Sequence, residues 1–126
     1  MQAFKRRSGV VLLAVTISVI LVAITIAVAL PVASKEVQRE KEDSLRFILG
    51  EFRRAVENFE HFNGRTPENI EELIVDQQGR KFLRKRYLDP FTGKFDWRCE
   101  KASATMSVFS ASDDLSLAGV PYSDFR

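Results

Sequence analysis

The sequence predicts an α+β protein, with one long N-terminal helix packed on a small antiparallel β-sheet. Three observations carry this expectation. Residues 10–30 form an uninterrupted apolar run, and an apolar stripe at helical spacing follows over residues 45–59. Segments 95–100 and 105–109 then alternate apolar and polar residues, as strands do.

The apolar run from Val10 to Leu30 holds 21 residues without charge, Gly or Pro. Roughly 20 such residues cross the hydrocarbon layer as a helix. Thr16, Ser18 and Thr25 are polar, but their hydroxyls can bond back to their own helix. Lys5, Arg6 and Arg7 precede the run and fit a cytoplasmic N-terminus, although Lys35, Arg39 and Lys41 follow on the other side. The competing reading is a cleaved secretory signal peptide cut among the small residues of 27–34. Its apolar core would be about 7–15 residues, shorter than this run, and the helical pattern here continues beyond it.

From Ser34 the chain turns charged, with Lys35, Glu36, Arg39, Glu40, Lys41, Glu42 and Asp43 at spacings that predict a solvated helix laced with ion pairs. Leu45, Ile48, Leu49, Phe52, Val56 and Phe59 then fall on one helical face. Asn63-Gly64 is a C-terminal cap signal. One continuous helix from Val10 to Phe62 is therefore expected, on the order of 80 Å long by helix rise. Pro31 lies in its path and should remove one backbone bond and kink it.

A short helix should follow, with Thr66 as its N-cap, Pro67 in its first turn and Gly79 past its end. Asp89-Pro90-Phe91-Thr92-Gly93 reads as a turn. Phe95 to Glu100 reads as a half-buried strand, with Thr105 to Phe109 as its hairpin partner. In that frame Cys99 shares a face with Phe95 and Trp97 and should be a buried, inert thiol. Phe52, Phe59, Phe62, Trp97 and Tyr122 read as core rather than as a binding surface. The tail from Ser110 is rich in turn residues.

Composition narrows the chemistry. A net charge of +2 does not argue for nucleic acid. One cysteine excludes an intrachain disulfide, and with a single histidine it excludes a Cys/His zinc site. No nucleophile, base and orienting group stand at a suggestive spacing, and no Gly-rich phosphate loop is present, so an enzyme is not expected. The basic stretch Arg80, Lys81, Arg84, Lys85 and Arg86 has only Phe82 and Tyr87 as stacking partners. It reads as a solvated surface pairing with Glu71, Glu72 and Asp76 rather than as a nucleic-acid or lipid site. Ser110, Ser112, Asp113, Asp114 and Asp124 supply loop oxygens of the kind calcium takes, although the same residues also make ordinary solvated turns.

Taken together, these pieces resemble the type IV pilin superfamily, most closely the major-type pseudopilins of type II secretion. Lys5-Arg6-Arg7-Ser8-Gly9 looks like a prepilin leader ending in the glycine after which prepilin peptidase cuts. By that resemblance Val10 begins the mature chain with an N-methylated amine, and Pro31 is its twenty-second residue, where pilin-like helices carry a proline. Arg65-Thr66-Pro67, Glu72-Leu73, Phe82-Leu83-Arg84, Asp89 to Gly93 and Asp96-Trp97 follow the order of pseudopilin domains. The ending, Ser110 to Asp114 and then Gly119 to Asp124, is similar to the family's final loop, where related pseudopilins hold calcium.

One position departs from the pattern. The fifth mature residue, a glutamate in the family, is Ala14 here. In the family that carboxylate pairs with a neighbour's N-terminal amine within the membrane layer and sets axial register. Its lack resembles a minor pseudopilin at a filament tip, although the large extra domain of such subunits is absent.

The resemblance implies residues 1–9 as leader, 10–32 as the transmembrane helix half, 33–63 as the amphipathic half and 64–126 as a small globular domain. It further implies a single-pass inner-membrane protein with a periplasmic domain. The partners it implies are prepilin peptidase, an inner-membrane assembly platform and other pseudopilins or pilins, packed through Val10, Ala14 and Pro31. Two rivals remain: a minor type IV pilin for adhesion or DNA uptake, and an unrelated exported binding domain.

Overall fold

The computed structural model describes residues 2–102 and 104–125, with side chains from Arg7 onward; the basic side chains expected at Lys5 and Arg6 lie outside the described residues. Helix α1 spans Gln2–Asn63, 62 residues. It is followed by a single turn, α2, over Glu71–Ile74, by strands β1 (Arg98–Ala102) and β2 (Thr105–Phe109), and by a 3-10 turn over Tyr122–Asp124. The chain divides into two compact units, Met1–Val37 and Gln38–Arg126.

The described residues of the first unit, from Gln2 on, are all helical. Helix α1 starts earlier than the apolar run, at Gln2. Its hydroxyls bond inward as expected: Thr16 Oγ1 donates to the Leu13 carbonyl (2.8 Å), Ser18 Oγ to Ala14 (2.8 Å) and Thr25 Oγ1 to Val22 (2.7 Å). Pro31 remains inside the helix. Without an N–H it leaves the Ala27 carbonyl lacking its usual partner, while its own carbonyl accepts the Ser34 hydroxyl at 3.0 Å. The apolar side chains of 10–30 point outward, unpartnered, and α1 is long and apolar enough to cross a membrane by length and composition.

In the second unit, the predicted stripe forms the floor of the core. Leu45, Ile48, Leu49, Phe52, Val56 and Phe59 are all buried. Ile70, Leu73, Leu83, Tyr87, Trp97, Met106, Val108 and Tyr122 cover them. Phe52 meets Trp97 edge-on at 5.1 Å between centroids, an orientation that aligns ring edge with ring face. The Trp97 indole N–H donates to the Tyr87 carbonyl at 2.8 Å, so its one polar atom is satisfied. Helix α1 ends at Asn63 because Gly64 takes φ 65° and its N–H returns to the Glu60 carbonyl, a left-handed cap that suits glycine.

Four local expectations are corrected. The helix expected from Pro67 shrinks to the four residues of α2, because side chains take over its early N–H groups. Asn69 Oδ1 accepts the Glu72 N–H (3.0 Å) and Glu72 Oε2 accepts the Glu68 N–H (3.0 Å). Strand β1 begins at Arg98 rather than Phe95. It pairs antiparallel with β2 in the register Cys99 to Val108 and Lys101 to Met106. Met106 and Val108 are buried while all of β1 is exposed, so β1 overhangs as the outer strand and Cys99 is exposed, not buried. Phe62, expected in the core, lies in the last turn of α1 and is 63% exposed, because Phe82 covers only one side of it.

Candidate functional site

Two regions carry the residues singled out by the sequence, one in each unit. In the first unit, Gly9, Val10, Ala14 and Pro31 all lie on α1 and all are exposed. Gly9 has open space where a side chain would stand. The helix thus offers a peptide bond at Gly9–Val10 flanked by small or branched residues, and an apolar surface above it. The Ala14 side chain carries no polar group, and its carbonyl accepts the Ser18 hydroxyl at 2.8 Å.

In the second unit, the candidate calcium residues sit in the segment after β2. Ser110 is fully buried, and its hydroxyl donates to Asp89 Oδ2 at 2.5 Å. The same hydroxyl accepts the Ser112 N–H (3.1 Å), and Ser112 Oγ accepts the Asp114 N–H (3.3 Å). Asp113 faces Arg98 in an exposed ion pair at 3.0 Å. Asp124 sits in the 3-10 turn, exposed. Among the described residues no three acidic, Cys or His side chains gather into a metal-sized cluster. The structure therefore does not bring Asp113, Asp114 and Asp124 together. In this arrangement Ser110 holds Asp89, and both serine hydroxyls brace their own turns.

The segment is held instead by two carboxylates. Asp89, fully buried, accepts from Phe91 N–H (2.8 Å), Ser110 Oγ and Ala111 N–H (3.2 Å). With the Gly93 N–H on the Asp89 carbonyl (2.8 Å), it closes the predicted turn at 89–93 and ties it to the end of β2. Glu42 is also buried; one of its oxygens accepts the Leu117 N–H (2.8 Å) and the Tyr122 hydroxyl (2.9 Å). Gln38 Nε2 donates to Tyr122 Oη (2.8 Å) and to the Leu115 carbonyl (3.2 Å). Phe91 stacks on Tyr122 at 3.7 Å and completes the clasp. Burial pushes the Tyr122 phenol above its ordinary pKa, against the Gln38 hydrogen bond; the neighbouring Glu42 adds to the rise.

Glu42 stands in a charged run that reads as solvated and ion-paired, yet it is buried. A signal to the contrary was present: Gln38, Glu42, Leu45, Leu49, Phe52, Val56 and Phe59 continue one spacing of 4, 3, 4, 3, 4 and 3. Two polar residues at core-facing positions mark a buried polar contact. Residues 35–43 form no ion pair within 4.0 Å among the described residues.

The basic stretch is largely engaged within the domain. Arg86 pairs with Glu71 at 3.0 Å and lies over the Phe95 ring at 4.2 Å. Arg80 bonds to Gln78 and lies over Phe62 at 5.8 Å, and its N–H, with that of Gln78, donates to Asp76 Oδ1 (both 2.8 Å). Burial pushes the Asp76 carboxyl up, but those N–H groups and the Arg80 charge outweigh it and hold the group below its ordinary range. Arg65 grips Glu72 through both guanidinium nitrogens (3.0 and 3.2 Å), and its hydrogen bond is the chief cause that lowers the Glu72 carboxyl.

Compared with family models, curated proteins and solved structures, the chain matches none.

Proposed function

We propose that this chain is a membrane-anchored filament subunit of the pilin type, a pseudopilin of a type II secretion machine, whose work is mechanical rather than catalytic. The observation that carries the reading is the division of labour along α1. Residues 10–30 present apolar side chains to their surroundings, whereas Leu45 to Phe59 bury one face under a small sheet and its loops. A helix apolar all round is stable only in lipid or among other apolar helices. An exported subunit exchanges the first setting for the second when it leaves the bilayer, so the exchange costs little if neighbouring helices replace lipid contact for contact. An assembly platform must supply the work.

Further support comes from the leader-like Lys5 to Gly9 and from Pro31 at the twenty-second position counted from Val10. On this reading prepilin peptidase cuts after Gly9, the domain beyond the membrane is periplasmic, and subunits pack through residues 10–30. Ala14 favours a specific variant of the reading. A subunit without the register-setting carboxylate suits a filament end, where no deeper neighbour waits for it, so a minor subunit of a secretion or pilus filament is the second reading. Domain-internal pairing of Arg80 and Arg86 supports a surface role for the basic stretch over DNA uptake.

The test is intact-mass analysis of the chain purified from membranes with and without prepilin peptidase. The expected product starts at Val10 and carries one N-methyl group only when the peptidase is present. A chain that keeps residues 1–9 in its presence, or is cut near residue 33, would overturn the proposal.

A further inference from the structure

The seven residues 115–121, Leu-Ser-Leu-Ala-Gly-Val-Pro, contain no charge. They form a closed turn that directs its apolar side chains outward and the Ser116 side chain inward, the reverse of the side-chain pattern of an ordinary water-facing loop. Leu115 is 60% exposed and Leu117 and Val120 are each 43% exposed, while Ser116 is buried. The Ser116 N–H donates to the Val120 carbonyl (2.8 Å), the Gly119 N–H to the Ser116 carbonyl (2.9 Å) and the Val120 N–H to Ser116 Oγ (3.1 Å). Leu115 and Pro121 close the ends as a bridge, and Gly119 takes the left-handed φ of 78° that the reversal needs. The Leu117 N–H and the Leu115 carbonyl are taken by Glu42 and Gln38. The exposed apolar side chains without any charge suit the interfacial layer of a bilayer, where headgroups and water still reach the turn's remaining N–H and carbonyl groups.

Where the turn is tied identifies its occupant. Gln38 and Glu42 open the second unit, and Gln38 follows Val32 by six residues. Six residues span at most about 22 Å even when fully extended. If residues 10–32 lie in a bilayer, as the function proposed above has it, the clasp cannot move farther than that from the lipid surface. Three apolar side chains alone would hold a membrane weakly, but a short tether makes the contact intramolecular and supplies a high effective concentration. Exposed Arg39 and Lys41, in the same helical turns as the clasp, are long enough to reach lipid phosphates beside it.

We propose that the turn 115–121 is a second, interfacial membrane contact, which places Leu115, Leu117 and Val120 at the boundary between headgroups and acyl chains of the anchoring bilayer. The clasp of Gln38 and Glu42 then fixes how the domain stands on the membrane before the subunit is extracted.

The test uses the full chain with Cys99→Ser in nanodiscs of mixed zwitterionic and anionic phospholipid. Single cysteines at Leu117, at Ile20 and at Gln77 carry a bimane label, and quenching is read with nitroxide-bearing lipid and with aqueous iodide. Leu117→Cys should lose fluorescence to the nitroxide lipid, as Ile20→Cys does, while Gln77→Cys should lose it only to iodide. Val120→Cys repeats the reading should Leu117→Cys disturb the turn, with Trp97 emission reporting an intact domain. Iodide quenching at 117 and 120, with lipid quenching at 20, would overturn this inference and leave the membrane anchor standing. Shielding of 117 and 120 from both quenchers would assign the turn to a protein partner and overturn it as well. Absence of lipid quenching at 20 would overturn the anchor itself.

Discussion

Replacing Glu42 with alanine removes the acceptor on which two groups of the C-terminal segment converge. The Tyr122 hydroxyl, in a residue 1% exposed, loses its only acceptor and keeps Gln38, which donates to it. A buried donor left bare costs about 1–3 kcal/mol. The Leu117 N–H belongs to an exposed residue and can turn to water, so its loss adds about 0.5–1.5 kcal/mol. The sum is about 2–4 kcal/mol, and a domain of this size loses about 4–8 °C per kcal/mol, so the melting temperature should fall by about 8–32 °C. Tyr122→Phe removes the needy hydroxyl itself and should cost only about 1 kcal/mol. In the double variant the losses should fall short of additive by about 1 kcal/mol or more, the mark of a direct contact. Thermal unfolding of the full chain in detergent, followed by emission of the single tryptophan Trp97, reads the domain without interference from the apolar helix half. An unchanged melting temperature for Glu42→Ala, or strictly additive losses in the double variant, would refute the clasp.

The other predictions are as direct. Asp89→Ala strips three donors of their shared carboxylate and should cost about 1–3 kcal/mol for each buried donor left bare, measured by urea unfolding. Glu72 and Asp76 have folded pKa values below their ordinary ones, so they contribute stability above the ordinary carboxylate pKa that is lost as pH falls through the folded values. Melting temperature should therefore drop on the acid side, and less steeply in Asp76→Asn. Tyr122 has the opposite sign: its contribution is complete below the ordinary phenol pKa of about 10 and is lost as pH rises through the raised folded value, a loss absent in Tyr122→Phe. Cys99, exposed on the outer strand, should react with a thiol reagent in the native protein without prior unfolding.

Much of the fold was legible because it is written in period and punctuation. The stripe from Leu45 to Phe59, the cap at Asn63-Gly64, the turn at 89–93 and β2 over 105–109 each follow from local spacing alone. What spacing cannot say is which strand lies outermost. Cys99 and Val108 share a rung, yet only Val108 is covered, because the helix lies beneath β2 and not beneath β1. Long-range hydrogen bonds are equally silent. Nothing beside Asp89 announces that its carboxylate holds Ser110, 21 residues away, or that Glu42 waits for Tyr122 at a separation of 80. The polar positions at 38 and 42 on an otherwise apolar stripe were the readable trace of that second contact. In the loop after β2, residue types that also suit an ion make turns and a surface ion pair, which their types alone do not announce.

The central claim is that residues 10–30 leave lipid by packing against like helices. Cysteine cross-linking tests it most directly, with Ile17→Cys in a Cys99→Ser background, in cells that carry the assembly machinery and in cells that lack its motor. Ile17 lies in the middle of the apolar run and is half exposed. The account predicts disulfide adducts with copies of the chain or with other pilin-like subunits similarly labelled, formed only when the motor is present. A chain that stays monomeric in the membrane under both conditions would contradict it.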